Sequence, residues 1–137
     1  MKKLPVIFDC DPGHDDAIAL VMALACPQWD IRAITTVGGN NTIENVTSNA
    51  LRVLEVTGRT EIPVASGQAA PFLRELVQTG KFHGRTGMDG HHLPPPATKP
   101  ASSDAVGLMA KILEESETPV TLLVTGVFTN IATLLLA

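Results

Sequence analysis

Four aspartates fall within eight consecutive positions near the start of the chain, at Asp9, Asp11, Asp15 and Asp16. Two unit charges about 4 Å apart repel by ~1 kcal/mol in water and by ~4 kcal/mol at an effective dielectric of 20. A helix N-terminus relieves only ~0.3–1 kcal/mol per acid, so a hard divalent cation is the better partner. In a simpler interpretation the four acids are helix caps and turn residues. That interpretation explains any one of the acids alone better than it explains all four together.

The donor set indicates which cation would fit. All the crowded ligands are oxygens, which suit Ca²⁺ or Mg²⁺, and no Cys or His partner has the spacing of a zinc site. The cluster therefore predicts a site for a hard cation.

The acids lie between a predicted strand and a predicted helix. Residues 4–8 are apolar without alternation, as in a parallel strand covered on both faces. Residues 17–26 are apolar all round, which predicts a largely buried helix. Pro12-Gly13 supplies the turn between them.

The rest of the chain alternates strand-like and helix-like segments. Further strands are predicted at 30–37, 62–65 and 119–124, and helices at 42–57, 102–117 and from 129 onward. A further short helix is predicted within 71–80. This alternation predicts one α/β domain over residues 1–137, with an open, mostly parallel sheet and helices on both faces.

Polar residues also follow two other predicted strands. Gly38, Gly39 and Asn40 end the second strand, and Thr125 and Gly126 end the fourth. Ligands of open parallel sheets bind at the carboxyl ends of the strands, so these residues are expected to converge with the acids. Residues 81–100 have little predicted regular structure, and a loop of this length is typical of an active-site segment or of a linker.

Composition narrows the class of protein. The chain is 45% hydrophobic and 18% charged, which is typical of a globular domain. Its formal net charge of −4 gives no reason to expect nucleic acid or a membrane surface as a partner. Cys10 and Cys26 form no Cys-x-x-Cys pair, which favours a reduced, cytoplasmic setting. Residues 131–137 are an apolar helical run without a terminating signal. We therefore expect a fragment of a domain, which ends before the elements that would pack against this run.

Four motifs, taken together, resemble one enzyme family. Residues 9–16 resemble the Asp-x-Asp-x-Gly-x-Asp-Asp fingerprint of the inosine–uridine-preferring nucleoside hydrolases. Thr35-Thr36-Val37-Gly38-Gly39-Asn40 resembles the family's second strand end, residues 83–90 its His-Gly-x-x-Gly-x-Asp-Gly loop, and residues 125–130 its Thr-Gly-x-x-Thr-Asn segment. The likeness is strongest to bacterial pyrimidine-preferring ribonucleoside hydrolases, and it implies a Rossmann-like fold.

The resemblance implies a reaction and a set of roles. It implies Ca²⁺-dependent hydrolysis of ribonucleosides to ribose and free base, a place in nucleoside salvage, and a homo-oligomer. Asp11 would be a metal ligand and the general base for the attacking water. Asp16 and the carbonyl of Thr125 would also bind the metal.

The remaining roles concern the substrate. Asp15 and Asn40 would bind ribose hydroxyls, and His83 would lie on the base side, although a solvated loop histidine is an equal alternative. Asp9 would orient its neighbours. No role is predicted for His14, or for His91 and His92. Because the family's chains are about twice as long or longer, we expect weak Ca²⁺ binding and little turnover from this chain alone.

Two alternatives remain open on the sequence. A haloacid-dehalogenase-like, Mg²⁺-dependent phosphatase would use Asp9 as nucleophile and Asp11 as acid and base, with Thr125 at a later strand end. That family usually has Thr or Val where Gly13 stands, and it gives Asp15 and Asp16 no task. The other alternative is an inactive, truncated metal-binding fragment that associates through an exposed apolar edge.

Overall fold

A computed structural model describes residues 2–78, 80–90 and 92–137. Within them, four parallel strands form one sheet in the order β3-β2-β1-β4. The strands are β1 (Leu4–Cys10), β2 (Trp29–Thr36), β3 (Val64–Ser66) and β4 (Thr121–Val124). The helices are α1 (His14–Ala25), α2 (Ile43–Thr57), α3 (Gly80–His83), α4 (Ala105–Glu115) and α5 (Thr129–Leu136).

The first strand occupies the middle of the sheet and is buried on both faces. Alternate side chains of a strand point to opposite faces, and here Phe8 packs with α1 and α2 while Ile7 packs with Met109 of α4. Leu134 of α5 packs on this second side as well. The predicted α/β architecture, with helices on both faces of a parallel sheet, is therefore confirmed.

Local signals place the ends of two helices close to the predicted positions. Thr42 caps α2, its hydroxyl accepting a hydrogen bond from the Asn45 amide at 3.4 Å. Gly58 ends α2 in the left-handed conformation, with φ of 66°, which glycine adopts without steric cost. The carboxylate of Asp104 caps α4 by accepting from the Gly107 amide at 2.8 Å.

The helix predicted within residues 71–80 is absent from residues 71–78. Phe72, Leu73 and Val77 are all exposed there, so the segment has no buried face on which a helix could be stabilised. Isolated helices this short are marginal in water because nucleation is costly. The only helical turn nearby in the described residues is α3, which begins at Gly80.

The prediction that α1 is largely buried holds for one face only. Leu20 and Ala23 are buried against the sheet, whereas Ile18 and Met22 are 63% and 69% exposed. The sheet covers one side of α1 and α2 flanks it, so an all-apolar sequence leaves an uncovered outer face. In the part of the chain that the structure describes, no helix has the length and apolarity needed to cross a membrane.

Candidate functional site

Asp9 is the most deeply buried of the four acids and is held by two neighbouring elements. Its Oδ1 accepts a hydrogen bond from the Thr35 hydroxyl of β2 at 2.6 Å and from Nδ2 of Asn130 on α5 at 2.8 Å. Its Oδ2 is buried and has no hydrogen-bond partner in the described structure. The Asp9 carboxylate is thus fixed on one side and unsatisfied on the other, which leaves a position for a positive group.

Asp11 and Asp16 close the turn between β1 and α1. The Asp11 amide donates to Oδ2 of Asp16 at 2.9 Å, and Oδ2 of Asp11 accepts from the Asn40 amide at 2.7 Å. Both acids are buried, being 6% and 5% exposed. A Cβ at Gly39 would lie 2.0 Å from Oδ2 of Asp11, so glycine is needed for this approach. Asp9, Asp11 and Asp16 are called the carboxylate corner below.

Burial raises the pKa of two acids of the carboxylate corner, Asp9 and Asp11. Desolvation, reinforced by the charge of Asp16, raises the pKa of Asp11 to about 7, despite the lowering effect of the Asn40 amide. Desolvation likewise raises the pKa of Asp9, although hydrogen bonds from Thr35 and Asn130 oppose the shift. Complete burial and the charges of the same acids raise the pKa of the Cys10 thiol, so Cys10 is a neutral core residue.

The other predicted site residues lie around this corner with different exposure. The Thr125 amide donates to the Asp9 carbonyl oxygen at 2.9 Å, which places Thr125 beside the end of β1, and its side chain is exposed. Nδ2 of Asn40 donates to the Asp11 carbonyl oxygen at 3.1 Å. The Asp15 side chain is 71% exposed and faces solvent at the start of α1. The structure therefore brings together the ends of β1, β2 and β4, as predicted.

Residues 80–90 form a second region, called the docked loop, which lies against the turn before α1. Nδ2 of Asn49 on α2 donates both to the Pro12 carbonyl oxygen at 3.0 Å and to the Thr86 carbonyl oxygen at 3.1 Å, so it joins the turn to the loop. Nδ2 of Asn41 donates to the Arg85 carbonyl oxygen at 3.2 Å, and Met88 is buried. These contacts anchor a loop that sequence reasoning left without structure.

Asp89 organises the docked loop from within. Its carboxylate accepts from the amides of Arg85 and Thr86, at 2.9 Å in each case, and from the Thr86 hydroxyl. These hydrogen bonds lower the pKa of Asp89 to about 2 although the side chain is exposed. Gly84, Gly87 and Gly90 have positive φ, which explains why the loop is rich in glycine.

The docked loop brings His83 to the start of α1. Nε2 of His83 lies 3.8 Å from Oδ1 of Asp15, and Nδ1 of His83 accepts a hydrogen bond from the His14 amide at 3.3 Å. A Cβ at Gly13 would lie 2.7 Å from Nδ1 of His83, so Gly13 makes room for the ring. His14, for which the sequence predicted no role, contacts His83 directly. His92 is exposed, and His91 lies outside the described residues.

Asn130 is the principal site residue that sequence reasoning did not single out. Besides its bond to Asp9, its Nδ2 donates to the Thr36 carbonyl oxygen at 3.0 Å and its Oδ1 accepts from the Gln68 amide at 2.9 Å. It is completely buried. The sequence did contain a signal for Asn130. It lies in the segment 125–130, between the end of a predicted strand and the start of a predicted helix.

The described residues contain no group of three His, Cys, Asp or Glu side chains already placed to hold a metal ion. The chemistry nevertheless fits a hard cation. The carboxylate corner offers only oxygen ligands, the pKa of two of its acids is raised by burial, and one buried carboxylate oxygen is unsatisfied. A bound cation would favour the ionised form of both acids.

Known proteins resemble this chain in sequence over nearly all of its length. The family model described as inosine-uridine preferring nucleoside hydrolase matches residues 6–137. The pyrimidine-specific ribonucleoside hydrolase RihA of Photobacterium profundum is 57% identical over 131 residues, covering 96% of this chain and 42% of the relative. RihA of Escherichia coli O127:H6 is 54% identical over 132 residues, with the same coverage.

A solved structure gives the same result. The plant nucleoside hydrolase PpNRh1 superposes with a TM-score of 0.90 at 34% identity, over 96% of this chain and 42% of its own. The chain therefore spans less than half the length of these relatives, and the match includes the strand ends described above.

Proposed function

We propose that this chain, which belongs to the inosine-uridine preferring nucleoside hydrolase family, supplies the cation-binding part of an enzyme that hydrolyses the N-glycosidic bond of ribonucleosides. The products would be ribose and the free base. The observation that carries the proposal is the carboxylate corner, in which buried Asp11 lies against Asp16 at the carboxyl end of the central strand.

Asp11 is proposed as the general base. A general base must be ionised to accept a proton, and a bound cation would favour the ionised form of Asp11, whose pKa burial raises to about 7 in the absence of a cation. The Asn40 amide fixes Oδ2 of Asp11 at 2.7 Å, so that one oxygen is oriented by the protein. Asp11 would accept the proton of the water that attacks the anomeric carbon of the sugar.

Asp11, Asp16 and the carbonyl of Thr125 are proposed to hold a divalent cation, with Ca²⁺ as the specific expectation. When bound, such an ion would lower the pKa of water and balance the acids of the carboxylate corner. Asp9 would keep its neighbours in place, because its Oδ1 is tied to Thr35 and Asn130.

The substrate is proposed to lie between the carboxylate corner and the docked loop. Asp15 and Asn40 would bind ribose hydroxyls, and the exposure of Asp15 leaves its carboxylate accessible to a ligand. His83 would contact the base from the docked loop. The names of the RihA relatives favour pyrimidine ribonucleosides as substrates. A cytoplasmic setting, a homo-oligomer and a place in nucleoside salvage are further parts of this proposal.

The phosphatase alternative is disfavoured by the position of Asp9. A nucleophilic carboxylate must reach its substrate, whereas Asp9 is 1% exposed and its Oδ1 already accepts two hydrogen bonds. The family match points the same way. The alternative of an inactive fragment is separated from the proposal by the experiment below.

The test replaces the segment of the Photobacterium profundum relative that aligns with this chain by the chain itself. We expect this chimaera to release ribose from uridine in the presence of Ca²⁺. Asp11→Asn in the chimaera should reduce kcat by about 10²–10⁴-fold, the usual contribution of a general base. Asp30→Asn, an exposed acid near the start of β2, is the matched control and should leave kcat unchanged. A folded chimaera without activity, or an Asp11→Asn variant with full activity, would contradict the proposal.

A further inference from the structure

The sequence predicts no role for His14, yet its side chain contacts the docked loop at two points. Nε2 of His14 lies 2.7 Å from the carbonyl oxygen of Asp89, 75 residues further along the chain. A carbonyl oxygen can only accept, so Nε2 of His14 carries a proton and is the donor of this hydrogen bond. The His14 ring also stacks on the His83 ring, with centroids 5.5 Å apart and the two Nδ1 atoms 3.3 Å apart. The His14 side chain therefore joins the start of α1 to the docked loop.

Asp89 connects the contact with His14 to His83 within the docked loop. The Asp89 amide donates to the His83 carbonyl oxygen at 2.9 Å, and the Asp89 carbonyl oxygen accepts from His14. The Asp89 carboxylate accepts from the amides of Arg85 and Thr86, so this residue is fixed within the loop as well. A single residue thus links the side chain of His14 to the backbone of His83.

The His83 ring is held at its other end by the backbone of α1. Its Nδ1 accepts a hydrogen bond from the His14 amide at 3.3 Å, and a backbone N–H can only donate. In the neutral imidazole the proton is therefore on Nε2, which lies 3.8 Å from Oδ1 of Asp15. The His83 side chain is only 16% exposed, and Gly13 leaves the space for its ring. The contacts thus define one orientation of the ring, with Nε2–H on the side of Asp15.

We propose that His14 is a positioning residue, whose side chain holds Asp89 so that the Nε2–H of His83 faces the bound ribonucleoside. The inference rests on the proposed function, in which His83 contacts the base and Asp15 binds a ribose hydroxyl. A loop histidine without this support would have to be ordered when the substrate binds, which costs affinity. Holding the ring in place beforehand removes that cost.

Only part of this support depends on the residue type at position 14. The backbone amide that donates to the His83 ring is present with any residue except proline. The hydrogen bond to the Asp89 carbonyl oxygen requires a side chain with an N–H at the reach of Nε2. His14→Gln retains such a donor without the ring, His14→Phe retains a ring without the donor, and His14→Ala removes both. The three variants therefore separate the hydrogen bond from the ring contact.

The first test measures kcat/KM for uridine in the chimaera with the Photobacterium profundum relative. His14→Ala and His14→Phe should lower kcat/KM by about three- to tenfold, which is the usual contribution of one hydrogen bond. His14→Gln should restore most of the lost activity. His92→Gln, which changes an exposed histidine outside the docked loop, is the control and should leave kcat/KM unchanged. Full activity in His14→Ala, or no recovery in His14→Gln, would overturn the inference.

A double-mutant cycle separates positioning of His83 from general support of the fold. If His14 acts through His83, His14→Ala should have no further effect on kcat/KM in a His83→Ala background. A merely structural role would lower kcat/KM by the same factor with or without the His83 side chain. Equal effects of His14→Ala in the two backgrounds would therefore contradict the inference.

A second measurement, on the chain itself, needs no turnover and separates this inference from the proposed function. Long-range ¹H–¹⁵N spectra at pH about 8, above the ordinary pKa of imidazole, should show the Nε2–H tautomer of His83 in the wild type and in His14→Gln. In His14→Ala the Nδ1–H tautomer should become populated as well. An inactive chimaera together with these spectra would contradict the proposed function and still support the positioning of His83. The Nδ1–H tautomer in the wild type, or unchanged spectra in His14→Ala, would overturn the inference.

Discussion

Asp9 of the carboxylate corner is held by side chains, whereas the docked loop is anchored to the rest of the chain through its backbone carbonyl oxygens. Asp9 depends on the hydroxyl of Thr35 and the amide of Asn130, so each partner must be a particular residue type. The loop is anchored where Asn41 and Asn49 donate to the carbonyl oxygens of Arg85 and Thr86, which any residue would present. The position of Asp9 thus depends on the identity of its partner residues, whereas the anchoring of the loop depends on the course of its backbone.

The acids of the two regions also differ in burial and in the direction of their pKa shifts. Asp11 is buried and its pKa is raised to about 7, whereas exposed Asp89 is surrounded by donors and its pKa is lowered to about 2. Ionisation of Asp11 is therefore unfavourable in the corner unless a cation is bound. In the loop, the ionised carboxylate of Asp89 stabilises the fold of the loop through its hydrogen bonds. Substitutions should have large effects in the corner and local effects in the loop.

Asn130→Ala should have the largest effect on stability. It removes one partner from two buried hydrogen bonds, to Asp9 and to Thr36, and from a partly buried one, from Gln68. Leaving such groups unsatisfied should lower the free energy of unfolding by about 2–4 kcal/mol. Chemical denaturation measures this change. Asn45→Ala, on the partly exposed first turn of α2, is the control and should cost less. Equal costs would show that the buried contacts of Asn130 are not especially stabilising.

The pH dependence of stability should come from the corner when no cation is added. The folded-state pKa of Asp11 is raised, so its contribution is fully present below pH about 4 and is lost as pH rises through about 7. The free energy of unfolding should therefore fall by about 1–3 kcal/mol between pH 5 and 8. Asp11→Asn should flatten this dependence. An unchanged slope in that variant would show that other groups cause it.

Gly39→Ala should separate cation binding from stability. The added Cβ would lie 2.0 Å from Oδ2 of Asp11 and must displace that carboxylate. We expect Ca²⁺ affinity to fall by about tenfold or more. Gly58→Ala is the control, because its Cβ meets nothing within 4 Å while its φ of 66° costs stability. If both variants lose Ca²⁺ affinity equally, the loss reflects stability and not the position of Asp11.

Asp89→Asn should have the smallest global effect. It weakens contacts within the docked loop, so residues 80–90 should be cleaved faster by protease while the denaturation midpoint stays unchanged. In the wild type the lowered pKa means that these contacts are present above pH about 4 and are lost only as pH falls through about 2. A large fall in the midpoint would show that the loop is part of the cooperative core.

The sequence predicted the sheet, the helices on both faces and the meeting of three strand ends, because hydrophobic runs and strand-end residues are local signals. It did not predict the docked loop, since Asn41 and Asn49 act on backbone atoms more than 35 residues away. It also overestimated the burial of α1, because composition cannot show which side of a helix the sheet covers. The pairing of His14 with His83 is likewise a product of tertiary structure.

The most direct test of the central claim is Ca²⁺ binding by the chain, measured by titration calorimetry. If Asp11 and Asp16 hold the cation, the wild type should bind one Ca²⁺, and Asp11→Asn and Asp16→Asn should each abolish binding while remaining folded by circular dichroism. Asp30→Asn should bind as the wild type does. Undiminished Ca²⁺ binding in either corner variant would contradict the account.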